Sequence, residues 1–164
     1  MGDAGFTKFA NPVFGQAVEA VDKGDIPLLK DILSKQPGII AEQAHFPKAG
    51  YFEKPYLLYF VADNPIRNGK LPANVLEVMN LLIGHLQQYP ANSKQAQLEY
   101  TLGLIASGRI PRESGKQIAM MDLLLDAGAA PGEGLAALAH GNVNAARHLI
   151  QRGGQYTLVA AACF

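Results

Sequence analysis

A turn residue stands seven positions after an anchor residue four times along the chain: Ala17 to Gly24, Leu57 to Asn64, Thr101 to Gly108 and Gly134 to Gly141. The third and fourth positions after each anchor are apolar every time, as Ala20-Val21, Phe60-Val61, Leu104-Ile105 and Ala137-Leu138. The turn residues are Gly or Asn, the types that tolerate the left-handed backbone by which a chain leaves a helix. A second stretch with helical apolar spacing follows each turn and ends in a paired aliphatic: Ile32-Leu33, Leu81-Leu82, Leu124-Leu125 and Leu149-Ile150. A short helical pair of this kind cannot bury its apolar face alone, so pairs in series are expected to stack. The recurrence predicts an all-α fold of stacked helical hairpins.

Local signals agree with that expectation. In "DIPLLKDILSKQPG", Asp25 is an expected N-cap and Pro27 falls in the first turn, where its missing N–H costs nothing. Leu28, Leu29, Ile32 and Leu33 are expected on one buried stripe, stopped by Pro37-Gly38. No run of alternating β-branched residues bounded by turns predicts a sheet. With 49% hydrophobic and 17% charged residues, the chain has the composition of one ordinary folded domain. Its formal charge of +0 supplies no basic field for nucleic acid. Apolar runs such as 56–62 fall well short of the ~20 residues of a membrane-spanning helix, so no membrane association is expected. Cys163, the only cysteine, excludes an internal disulfide and suits a reducing compartment. The start "MGDAGFTKFA" lacks a signal-peptide pattern, and a cytoplasmic location is expected.

"GLAALAHGNVNAARHLIQRGG" has a short first helix, a Gly-Asn turn, a second helix ending in a paired aliphatic, and a closing glycine. "MDLLLDAGAAPGEG" has the form of one repeat's end and the next one's entry, and "KPYLLYFVADN" keeps Pro55 and Leu57 of a Thr-Pro-Leu-His opening. These stretches resemble the ankyrin repeat in a divergent form with loop insertions. The resemblance implies an ankyrin-like α-solenoid of about four repeats plus the first helix of a fifth. Residues 1–11 form an N-terminal segment, and the repeats fall near 12–38, 53–90, 97–130 and 131–154, with a partial one at 155–164. The turn residues are 40, 44 and 33 apart, and the excess reads as insertion. "ADNPIRNGKLPAN" and "GRIPRESGKQ" lengthen turns inside the second and third hairpins, while "QPGIIAEQAHFPKAGYFEKP" lengthens the link between the first and second. Tetratricopeptide or HEAT-like solenoids also consist of hairpins, but with longer first helices.

Two insertions share a smaller motif, "PIRNGK" and "PRESGK". In a stack these loops lie side by side, so Arg67, Lys70, Arg112 and Lys116 form either a basic edge for an acidic partner or a phosphate, or simply two solvated turns. Neither is a phosphate-binding loop, because Asn64 and Ile110 replace the required first glycine. "HFPKAGYFEKPYLLYF" gathers His45, Phe46, Tyr51, Phe52 and Tyr56, either as interface anchors or as a small core of the loop itself. His45, His85, His140 and His148 have no metal-ligand spacing. Asp122 and Asp126 lie four apart with no partner base in sequence and read as a solvated face. Cys163 has no charged neighbour and reads as a small core residue.

No nucleophile, base and oxyanion site assemble, so no enzymatic activity and no cofactor are expected. The resemblance implies a scaffold or regulatory module that binds another protein through inner helices and inter-repeat loops. The candidate contact residues are Tyr51, Phe52, Arg67, Lys70, Arg109, Arg112, Lys116, Gly132 and Glu133. The alternative is a small enzyme or ligand-binding protein with a pocket between residues 38–56 and the helical stack. A third reading makes the chain one joining segment of a larger assembly. In the ending "TLVAAACF", Leu158 takes the anchor position and Ala161-Ala162 the paired positions. The face Leu158–Phe164 is therefore expected to be covered, by self-association or by further residues.

Overall fold

The computed structural model describes residues 9–163, with nine α-helices, three 3-10 segments and no strand among them. Phe164 and the side chains of Val159, Ala160 and Cys163 lie outside the described residues, and so does the expected core role of Cys163. No helix among the described residues is long and apolar enough to cross a membrane.

Capping chemistry sets the first two helices. Asn11 accepts from the Val13 and Phe14 N–H groups and starts α1 (Pro12–Lys23), with Pro12 in the first turn. Gly24, at a φ of 70°, ends it by returning its N–H toward the Ala20 and Val21 carbonyls. The Asp25 carboxylate accepts from Leu28 N–H at 3.0 Å and starts α2 (Ile26–Lys35), as the sequence predicts. Leu29, Ile32 and Leu33 are buried, but Leu28 is 39% exposed. It lies one residue, about 100°, round the helix from Leu29 and so leaves the predicted stripe.

The long link contains the 3-10 segments Pro37–Ala41 and Gly50–Phe52. Its two arms run against each other, with Ala44 N–H donating to Pro55 O at 3.0 Å and Phe46 N–H to Glu53 O at 2.8 Å. The expected first helix of the second repeat is a 3-10 helix, Leu57–Ala62, with every residue buried. Six residues separate the extended Tyr56 from the left-handed Asp63, and the tighter i→i+3 bond closes within that length. The remaining elements are α3 (Val75–Gln88), α4 (Lys94–Ser107), α5 (Arg109–Glu113), α6 (Gln117–Asp126), α7 (Leu135–Ala139), α8 (Val143–Gln151) and α9 (Leu158–Cys163).

Four pairs of elements, successive along the chain apart from the short α5, pack together: α1 with α2, Leu57–Ala62 with α3, α4 with α6, and α7 with α8. The first members also meet in order, α1 on Leu57–Ala62, that segment on α4, α4 on α7, and α7 on α9. The second members do the same, α2 on α3, α3 on α6 and α6 on α8. The residues after each anchor sit where these contacts are made. Ala20, Val21, Phe60, Val61, Leu104, Ile105 and Ala137 are buried, and Leu138 is partly so.

The turn residues behave less uniformly than their recurrence predicts. Gly24 and Gly141 have φ of 70° and 68°, but in the second pair Asp63, not Asn64, takes the left-handed conformation. Gly108 has a φ of −71°, because α5 begins directly after it and no left-handed exit is needed. Its requirement is space: a Cβ there would stand 2.7 Å from Leu104 O and 2.9 Å from Pro111 Cδ. At α9 the frame positions reverse their fate. Leu158 is 90% exposed, and Ala161 and Ala162 are exposed as well.

Candidate functional site

The link between the first two pairs decides which part of the molecule stays open. Ile39, Ile40, Phe46 and Phe52 from this link are all buried. The Phe52 and Phe60 ring centroids are 5.3 Å apart, edge to face, and Phe14 meets Phe60 at 6.0 Å. Phe9 joins the cluster against Phe46 at 5.5 Å. Phe52, a candidate contact residue, is 1% exposed and therefore core, whereas Tyr51 beside it is 60% exposed. The Tyr51 hydroxyl donates to Asn64 Oδ1 at 3.0 Å, and Asn64 Nδ2 donates onward to Leu104 O at 3.0 Å. Tyr100 donates its hydroxyl to Tyr51 O, and its ring stacks on Tyr59 at 4.7 Å. Burial raises the phenols of Tyr51, Tyr59 and Tyr100 above their ordinary value, most strongly at Tyr59, where the Tyr56 and Tyr100 phenols add to the effect.

The two Pro-x-x-x-Gly-Lys loops do not present their cations as one edge. The Arg67 side chain is only 9% exposed and donates from Nη2 to Asp22 Oδ1 at 2.7 Å and to Phe60 O at 2.9 Å. Its guanidinium lies 4.8 Å from the Phe60 ring centre, so a cation–π contact adds to the ion pair. The loop that delivers it is folded around Asp63. That buried carboxylate accepts from the backbone N–H groups of Arg67, Asn68 and Gly69 at 2.9–3.1 Å. Lys116 donates to Ala73 O and Arg112 to Asn142 Oδ1. Lys70 is exposed, and Arg109 pairs with Glu113 at 2.8 Å on the surface of α5. Arg67, Lys116 and Arg112 thus each tie one helix pair to a neighbouring one.

Gly132 and Glu133 lie elsewhere, at a groove of about 360 Å³ between α4 and the 130–137 segment. The floor is apolar and small, from Leu102, Gly103 and Ala106 on α4 to Ala137 and Leu149 opposite. Glu133 sits between Gly132 and Gly134, whose φ values of 63° and 69° call for glycine. Gly134 also faces Ala146 so closely that a Cβ would meet its Cα at 3.3 Å. Gln155 N–H donates to Gly132 O at 2.9 Å and fixes the loop to the chain beyond α8. Leu135, at the edge of the groove, is 41% exposed. A smaller recess of about 290 Å³ is lined by Arg112, Gln117 and Asn142 among others.

Buried amides form a set of cross-links that sequence spacing does not reveal. Gln97 donates to Ile40 O at 3.0 Å, Asn142 to Ala106 O at 2.9 Å, and Gln117 to Ile105 O at 2.9 Å. Asn74 donates to Gly24 O at 2.9 Å. The position of Asn142 and Asn74, just ahead of a second helix, is the one sequence signal they share. Asp122 and Asp126 are not a merely solvated face either. Asp122 Oδ1 lies 2.8 Å from His148 Nε2, and Arg152 bridges both carboxylates, so α8 is clamped to α6. His45 meets Glu53 at 3.3 Å on the surface. No group of three metal-ligating side chains occurs among the described residues. Comparison with protein-family models, curated proteins and solved structures finds no match.

Proposed function

We propose that this chain is an ankyrin-like solenoid that binds another protein, acting as a scaffold or regulatory module without a catalytic step. The observation that carries the reading is the packing of the four helix pairs in two rows, first members on first members and second on second. That order is what a solenoid requires. Cross-links from turn to turn support it, since Arg67, Lys116 and Arg112 each engage a neighbouring pair through carboxylate, carbonyl or amide. In this reading the inner row offers the contact surface, reduced by the 38–56 link to the part contributed by α4 and the fourth pair. Tyr51, Gly132 and Glu133 remain candidate contact residues, and Phe52 and Arg67 serve the frame that holds them. A cytoplasmic location belongs to the same proposal.

The test is site-specific photo-crosslinking after affinity capture with the intact chain. Photoreactive residues at Ala136, beside the groove, and at Lys30, on α2, should differ. Ala136 is expected to yield one discrete protein adduct and Lys30 none. Adducts from Lys30 alone would refute the assignment of the surface. A small molecule that raises the melting temperature, with no protein captured, would overturn the module reading itself.

A further inference from the structure

The groove between α4 and the 130–137 segment has a chemistry that selects its occupant. Its charged lining residues are Glu99 and Glu133, and no lysine or arginine among the described residues lines it. Glu99 accepts from Gln95 Nε2 at 2.7 Å, which holds its side chain along α4, and Glu133 has no ion-pair partner among the described residues. Two carboxylates at an apolar groove are complementary to a cation that carries aliphatic surface with it. A bare inorganic cation would leave Leu135 and the alanine floor facing water.

The floor also has room for a backbone. Gly103 lies inside α4, where glycine costs roughly 0.5–1 kcal/mol of helix stability relative to alanine. A Cβ at Gly103 would meet no atom within 4 Å, so internal packing does not call for its small size.

We propose that this groove takes an extended segment of a partner protein in which a lysine or arginine stands beside small aliphatic residues. The cation sits between Glu99 and Glu133, and the aliphatic side chains lie over Gly103 and against Leu135. The inference rests on the reading of this chain as a protein-binding module and supplies the chemistry of its partner.

The probe is a phage-displayed library of random peptides panned on the intact chain. Enriched peptides are expected to share a lysine or arginine next to alanine, valine or leucine. Their affinity should fall about tenfold in the double variant Glu99→Gln, Glu133→Gln, and weaken with added salt. Gly103→Phe fills the groove from a helical position with free space around it. It should abolish binding while the melting temperature stays level or rises. Enriched peptides that lack a cation, or that bind both variants as well as the parent chain, overturn the groove proposal and leave the module reading standing. Failure to enrich any peptide counts against both.

Discussion

The second and fourth helix pairs carry the same residue frame and meet opposite surroundings. In the second, Leu57–Ala62 is buried along its whole length, because α1, α3 and α4 pack on it and the link adds Pro37–Ala41 and the Phe52 ring. In the fourth, α7 buries only Ala137, and Leu135 is 41% exposed. The second pair therefore contributes core where a bare repeat would contribute surface. The same residue frame can thus be closed over in one part of the molecule and left open in another.

The largest expected effect tests the closed half. Phe52→Ala should cost about 3–5 kcal/mol in urea unfolding, since a fully buried ring leaves a cavity beside Phe60 and Tyr51. Tyr51→Ala, one residue away and exposed, should cost no more than about 1 kcal/mol. Equal costs would erase the distinction between the two aromatic neighbours.

Next come the two arginine-bearing loops. Asp22→Ala removes the nearest carboxylate from the Arg67 guanidinium at 9% exposure, leaving Phe60 O at 2.9 Å and Asp63 at 3.9 Å, and should cost about 2–3 kcal/mol. Glu113→Ala, which breaks the exposed Arg109 pair, should cost less than about 0.5 kcal/mol. Double-mutant cycles on the two pairs measure the difference directly, and matching coupling energies would show that burial of Arg67 has no energetic consequence.

The tyrosine group between the halves gives a pH dependence. Folding raises the phenols of Tyr51, Tyr59 and Tyr100 above their ordinary value of 10.0. Below about pH 10 both folded and unfolded chains keep these groups protonated, so their contribution is constant. Above it the unfolded chain releases protons first, and stability falls as pH rises toward the folded values. Tyr59→Phe should therefore flatten the decline of melting temperature above about pH 10, and an unchanged slope would remove Tyr59 as its cause.

The smallest effect sharpens the open half. Gly103→Ala should stabilise the chain by about 0.5–1 kcal/mol, because it adds helix propensity where nothing is crowded. A loss of stability would show that the groove is filled by neighbouring atoms.

Much of the helical order is legible in the sequence because its causes are local. Asp25 caps α2 through a bond to a residue three positions on, and Gly24 and Gly141 leave their helices through the left-handed region. The paired apolar positions become buried contacts because helical periodicity sets the face they occupy. Locality also explains the failures. Leu28 misses the stripe by one residue, and Gly108 keeps a negative φ because a helix, not a loop, follows it. Of the candidate site, only Gly132 and Glu133 lie together at an open groove.

The sequence by itself determined the all-helical class, the Asp25 cap of α2, the glycine exits at Gly24 and Gly141, and most of the apolar positions that become buried. Tertiary structure alone decided what the inserted segments do. Arg67 meets Asp22 across 45 positions, Gln97 meets Ile40 across 57, and Asp122 meets His148 across 26. Those encounters follow from which helix pairs become neighbours and how a link folds over them. Composition and spacing report the cation, the amide and the aromatic ring, while burial beside a distant partner decides whether each holds the frame together or faces the solvent.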